Sequence, residues 1–414
     1  MRRAFCAAAQ QLERTVAPPP QLLSVAAGEA SLAAALSRPP DAARLLVTHP
    51  VPPGGLVSLL LGHTRADVAV RTGPAGEATL EAAWPPGSTQ QLPAVESTKS
   101  GVELREPSRS ASSSSDERLV VTAWIPERFA SLRVSTRGAC VVDRVTEAGA
   151  RVTASSALLG SLKCTDVRVT TVGPGDVTAA TLSGSAVAVS CGGALAVRRL
   201  VARYADVVAH TASLDAVLAD TCRIEAAGVS QSGGASSDDG SVRDSSRQAA
   251  AALRVGTLRV AASATLRCRA PGAALAVSSV QGEPGACVNA STAGGPASLG
   301  LEAPSRRMRT RVATRGGGVG LGFAPEWDAL LRVVSGCVGG KTYADAVLPV
   351  PRAGRSEAVS RAGDAAPADR GEGEGEPGDG GVDVDAGTGD VHLAARSWLE
   401  GAIGAEAALR VSGG

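Results

Sequence analysis

Short segments of alternating apolar residues recur about every twenty positions between Leu132 and Val229, and that recurrence limits what the chain can fold into more than any other feature. Four of them are Arg151-Val152-Thr153-Ala154-Ser155, Val167-Arg168-Val169-Thr170-Thr171, Val187-Ala188-Val189-Ser190-Cys191 and Val207-Val208-Ala209-His210-Thr211. Read as equivalents, Val152, Val169, Val189 and Val208 stand 17, 20 and 19 residues apart. Second strands fall between them, such as Val177 to Leu182 and Ala194 to Val197. Gly173, Gly175, Gly184, Gly192 and Gly193 mark the turns. A fixed period of this length is the pattern of a solenoid. A single coil cannot bury its own apolar side, so its neighbours must stack on it. The expected fold is therefore all-β: a β-solenoid of the parallel β-helix or roll type, built from short strands with a period of about 20 residues. A β-sandwich is the competing arrangement, since its strands also recur every ~8–12 residues. Self-similarity at one period favours the stack.

Composition agrees with a narrow interior. Aromatic residues make up 2% of the 414 positions, and apolar residues 44%, with Ala prominent among them. Val and Thr suit a pleated surface, and Ala and Cys a thin core. Eight cysteines, at 6, 140, 164, 191, 222, 268, 287 and 337, include no C-x-x-C pair. That spacing speaks against a zinc site or a redox pair, and the reading is small buried thiols. Net charge is +1, from 41 basic and 40 acidic residues, so there is no global attraction to nucleic acid or an anionic membrane. No apolar run reaches ~18 residues, the length of a membrane-spanning helix.

In chain order, residues 1–20 carry Arg2, Arg3 and Arg14 against one acid, Glu13. They read as a mitochondrial transit peptide or a disordered start, the cytoplasm being the alternative residence. Residues 21–84 read as cap strands, which would cover the open edge of a stack. Residues 85–117, with the run SRSASSSSDE, read as a disordered linker. The main domain is expected over 118–350, with Trp124 covering its first coil and a low-complexity insert at 228–247. Residues 351–381 read as an acidic, glycine-rich linker, and 382–414 as a final strand and tail with Trp398 as a plug. In that last stretch Val382 and Val384 alternate with Asp383 and Asp385, which reads as an edge strand rather than a calcium loop.

The segments LRVSTRGACVVDRV, VRVTTVGPGDVTAATLSGSAVAVS and LDAVLADTCRIEAAGV resemble the putative-adhesin domain of unknown function, a β-solenoid common in bacteria. The ending GDVHLAARSWLEG is similar to that of an animal member of the same family. The resemblance spans roughly Leu119 to Val350 and the tail, and more weakly Arg44 to Leu80. With the repeat and the lack of a catalytic cluster, the expectation is a non-enzymatic scaffold or interaction module whose flat sides bind a partner protein or glycan, or mediate self-association. The family brings no catalytic residues to carry over. This chain departs from it in its polar inserts and in its greater content of Ala and Arg.

The search for chemistry finds little. The four histidines, at 49, 63, 210 and 392, form no metal-ligand pair, and no G-x-S-x-G elbow occurs. No cofactor or metal site is expected. Asp166, Asp206 and Asp220 recur near coil corners; a carbohydrate-active β-helix enzyme would need such carboxylates on one face, but corner aspartates are commonly turn formers. The one basic cluster is RRMRTRVATR, residues 306–315. There Met308, Thr310 and Val312 alternate with Arg307, Arg309 and Arg311, so one face turns inward and the arginines face solvent. Those three arginines are the candidate anion or nucleic-acid strip. A solubilising edge is the plainer reading.

Overall fold

The computed structural model describes residues 44–62, 64–85, 88, 90–106, 117–227, 252–302, 308–323, 330–334, 342–344 and 381–395. The expected transit segment, the inserts at 228–247 and 351–380, Arg307 and Trp398 lie outside these. All described regular structure is β, and 25 strands join one hydrogen-bonded sheet. The first seven are β1 (Arg44–Pro50), β2 (Leu56–Leu61), β3 (Ala66–Gly73), β4 (Glu77–Ala83), β5 (Ala94–Thr98), β6 (Gly101–Arg105) and β7 (Leu119–Pro126). Next come β8 (Ser131–Thr136), β9 (Ala139–Thr146), β10 (Gly149–Ala154), β11 (Ser156–Lys163) and β12 (Asp166–Thr171). Four long strands follow: β13 (Val177–Ser190), β14 (Ala194–Ala209), β15 (Thr211–Ala226) and β16 (Leu253–Pro271). The remainder are β17 (Leu275–Gly282), β18 (Cys287–Ala293), β19 (Ala297–Leu301), β20 (Arg309–Ala313), β21 (Val319–Phe323), β22 (Leu330–Val334), β23 (Thr342–Ala344), β24 (Gly381–Asp385) and β25 (Val391–Ala395).

Nearly all pairing is parallel and forms two ladders. One runs β8, β10, β12, then the second halves of β13, β14, β15 and β16, then β18, β20 and β24. The other runs β9, β11, the first halves of β13 to β16, then β17, β19, β21 and β25. The long strands pass from one ladder to the other. Strand alternation sends every second residue inward, so like stacks on like. Val152, Val169, Val189, Val207 and Ile224 are successive partners, each fully buried. The equivalence at Val208 is thereby corrected. Val208 pairs with Ser190 and is 38% exposed, and the partner of Val189 is the residue before it, Val207. In DVVAHT, Asp206 must face water; Val208, two positions on, shares that side.

At the turn end of the rungs, small buried side chains donate to turn carbonyls. Thr292 Oγ1 bonds Gly295 O, Thr314 Oγ1 bonds Gly317 O, and the Cys191 and Cys268 thiols reach Ala194 O and Ala274 O at 3.4 and 3.5 Å. Thr and Cys thus fill one place, a short side chain with a donor. Burial pushes the Cys140, Cys222 and Cys268 thiols up to about 12 and Cys164 to about 11, which keeps them in the unreactive thiol form.

Both ends depart from simple succession. β6 and β7 lie outside β2 and β3, which pair inward with β8 and β9. At the other end, β24 and β25 insert between β20 and β21 on one side and β22 and β23 on the other. The edge reading of 382–385 is therefore overturned: β24 is paired along both sides. The linker reading of 85–117 is corrected too, because β5 and β6 form a hairpin there that buries Val102 and Leu104. Within the stretch read as cap strands, β1 pairs antiparallel with β4 and β4 with β7, while β2 and β3 pair parallel with β8 and β9. Trp124, expected to cover the first coil, is only half-buried on β7.

Candidate functional site

Parallel, in-register pairing turns outward residues into straight rows. One such row, read from strand to strand, is Arg133, Arg151, Arg168, Ala188, Asp206, Arg223, Thr265, Asn289, Arg311 and Asp383. Successive members stand about 4.8 Å apart, the strand spacing. Its second part lines a shallow depression of about 520 Å³ whose walls include Arg223, Glu225, Arg267 and Arg311 and whose floor includes Thr265, Asn289 and Ser291. The floor is low because these three side chains are short; the walls are high because arginine is long.

The electrostatics are built around Glu225. Its side chain is 4% exposed and sits between two guanidiniums. Arg223 donates to Glu225 Oε1 through Nε at 3.0 Å and Nη2 at 2.8 Å, and Arg269 reaches the other oxygen. Burial pulls the Glu225 carboxyl upward, but the bonds and charge of Arg223 and Arg269 outweigh it and hold it below the ordinary carboxylate value. The same pairing raises Arg223. Glu225 is thus committed to its neighbours, and it fixes Arg223 in place. Arg267 and Arg311 have no ion pair among the described residues. They are exposed and project into the depression.

Of the arginines singled out in the sequence, Arg309 and Arg311 occupy the outward face of β20, while Met308, Thr310 and Val312 are buried. Arg307 lies outside the described residues. The alternation was legible; the arginines that join Arg311 were not. Arg223 and Arg267 come from β15 and β16, on either side of the 228–247 insert, and only the register brings them together. The three corner aspartates do not converge. Asp166 is held by Arg151 at 3.5 Å and Arg168 at 3.2 Å, Asp220 by Arg203 at 3.6 Å, and Asp206 stands in the row beside Arg223. Among the described residues no three His, Cys, Asp or Glu side chains are grouped to hold a metal ion. No described helix is long and apolar enough to cross a membrane.

No protein-family model matches the chain, and no curated protein matches it. Among solved structures, the crystal structure of a putative adhesin from Bacteroides fragilis NCTC 9343 is similar over 68% of this chain and 97% of that one, with 13% sequence identity and a TM-score of 0.30.

Proposed function

We propose that this chain is a non-enzymatic β-solenoid of the putative-adhesin kind, a scaffold whose flat outer faces bind a partner protein or glycan. The in-register stacking of Val152, Val169, Val189, Val207 and Ile224 carries the reading. A stack of this kind has no hinge between rungs and presents long rows of side chains with fixed spacing. Such a surface suits recognition of an extended ligand. The resemblance of residues 132–229 to the family supports the same reading. Mitochondrial residence, expected from residues 1–20, is tested by sequencing the mature N-terminus.

Spin labels introduced at Thr153 and Ser291 test the stack. These residues share one row, six strand steps apart through Thr170, Ser190, Val208, Glu225 and Arg267. The expected separation is about 29 Å at ~4.8 Å per step. A separation of only about 10 Å, as between facing sheets that fold back on each other, overturns the solenoid. Turnover of any polysaccharide that is lost in Asp206→Asn overturns the non-enzymatic reading.

A further inference from the structure

The row segment Asp206, Arg223, Thr265, Asn289, Arg311, Asp383 is nearly palindromic in charge: acid, base, neutral, neutral, base, acid. We infer that it binds an acidic saccharide, with an anionic sugar seated between Arg223 and Arg311 and neutral sugars on either side. This inference deepens the scaffold reading of the preceding subsection and rests on it.

Four observations favour this ligand class. First, two of the three arginines are unspent and the third is fixed in place. Arg267 and Arg311 have no carboxylate partner among the described residues, and Arg223 is held rigid by Glu225. A planar guanidinium pairs with a carboxylate or sulfate through two parallel N–H bonds. Second, the positive zone is short. Arg223 and Arg311 are three strand steps apart, about 14 Å at the strand spacing, and Asp206 and Asp383 close it at both ends. A uniformly charged polyanion would have to lie across those two exposed carboxylates, where like charges repel. A ligand with charge at its centre and neutral hydroxyls beyond would not; its hydroxyls would donate to Asp206 and Asp383. Third, the floor offers polar groups of both kinds. Thr265, Asn289 and Ser291 donate and accept, as a polyhydroxylated ring requires. Fourth, Tyr204 stands two residues from Asp206 on the same face of β14, 58% exposed, with the Arg203 guanidinium 5.9 Å from its ring centre. An exposed aromatic ring supplies an apolar platform beside a wet, charged site.

An acidic peptide fits less well. The backbone groups of β15, β16, β18 and β20 are engaged in the ladder on both sides, so no edge is open for strand addition beneath the groove. Recognition there must proceed through side chains alone.

Titration calorimetry of the full chain at low salt tests the inference. The probes are a pentasaccharide with one glucuronate at its centre and neutral sugars on both sides, the same length of neutral pentasaccharide sulfated once on its central sugar, cellopentaose, a single-stranded oligonucleotide and a glutamate-rich peptide. At least one of the two singly charged pentasaccharides should bind, and cellopentaose should not; one carries only a carboxylate and the other only a sulfate, so which of them binds tells the two groups apart. Arg267→Ala with Arg311→Ala should weaken binding at least tenfold, Tyr204→Ala a few-fold, and Asn289→Arg, which fills the floor, should abolish it. All these positions are outward, and unchanged circular dichroism verifies the fold. Failure of both singly charged pentasaccharides, equal binding of cellopentaose, or an oligonucleotide or peptide bound as tightly with the same arginine dependence overturns the inference. If that occurs while the Thr153 to Ser291 separation still matches six strand steps, the scaffold reading survives and only the saccharide falls.

Discussion

The two halves of one outward row carry similar residues to different ends. In the first half, Arg133, Arg151 and Arg168 are consecutive, so three long side chains stand about one strand spacing apart and leave no floor between them. Asp166, two positions before Arg168 on the same strand, bridges Arg151 and Arg168. In the second half, Arg223 and Arg311 are separated by Thr265 and Asn289, and the surface dips. The balancing acid there, Glu225, is buried and fully engaged, whereas Asp166 is a third exposed. A continuous arginine run with a surface acid makes a solvated charged strip. Interruption by short side chains makes a groove with free donors. What separates a solubilising surface from a candidate site here is order along the row, not arginine content.

The largest effect should come from breaking the register on which the row depends. Val207→Lys puts an unpaired charge between Val189 and Ile224 and should cost about 4 kcal/mol or more, while Val208→Lys, one residue away and beside Glu225, should change stability by no more than about 0.5 kcal/mol. Urea denaturation of the pair measures both. Equal losses would mean that the two valines are not on opposite faces, and the row would have to be redrawn.

Close approach of the chain between rungs of the first half comes next. A Cβ on Gly175 would lie 1.3 Å from the Ser155 carbonyl oxygen, a backbone atom that cannot step aside. Gly175→Ala should therefore cost about 3 kcal/mol, at the upper end of overpacking. A neutral outcome would show that the turn before β13 can move without disturbing the stack.

Glu225→Gln tests the second half. Its folded carboxyl lies below the ordinary value of 4.5, so the ionised form contributes stability that is present above the ordinary value and is lost as the pH falls through the lower folded value. The wild type should lose stability in that acid window, and the variant should lack this component there. At neutral pH the variant should be about 2 kcal/mol less stable, the scale of hydrogen bonds to a charged group. Identical acid profiles would show that Arg223 and Arg269 do not depend on the charge.

Beneath Arg311, Thr310 faces inward between Val288 and Val382 with its hydroxyl unpartnered among the described residues. Thr310→Val should raise stability by about 1 kcal/mol, since it removes an unmet hydrogen-bonding group, without altering the groove above. The smallest effect belongs to the first half: Asp166→Asn removes exposed ion pairs and should cost under about 1 kcal/mol, less still at high salt. A loss comparable to that of Glu225→Gln would erase the distinction between the halves.

Much of this was legible in the chain. Alternation in RVTAS, VRVTT and VAVSC identifies inward valines, and alternation in RMRTRVA separates Arg309 and Arg311 from Met308, Thr310 and Val312. The groove was not legible. Its members span β15 to β20, and a one-residue slip, such as reading Val208 for Val207, exchanges every facing residue beyond it. The hairpin of β5 and β6 was hidden by the polar residues that flank it, although Val102 and Leu104 carry the alternation that would have revealed it.

By itself, then, the sequence determined the period near twenty, the β character and the inward or outward side of most strand residues, because these follow from local alternation and from the cost of burying charge. Only the tertiary structure decided which strands are neighbours. β6 and β7 lie outside β2 and β3, β24 and β25 slip inside β22 and β23, and Arg223 meets Arg311 across Thr265 and Asn289. Strands of one apolar pattern are interchangeable as partners by composition; the choice among them lies in long-range packing and turn geometry, which a period does not encode.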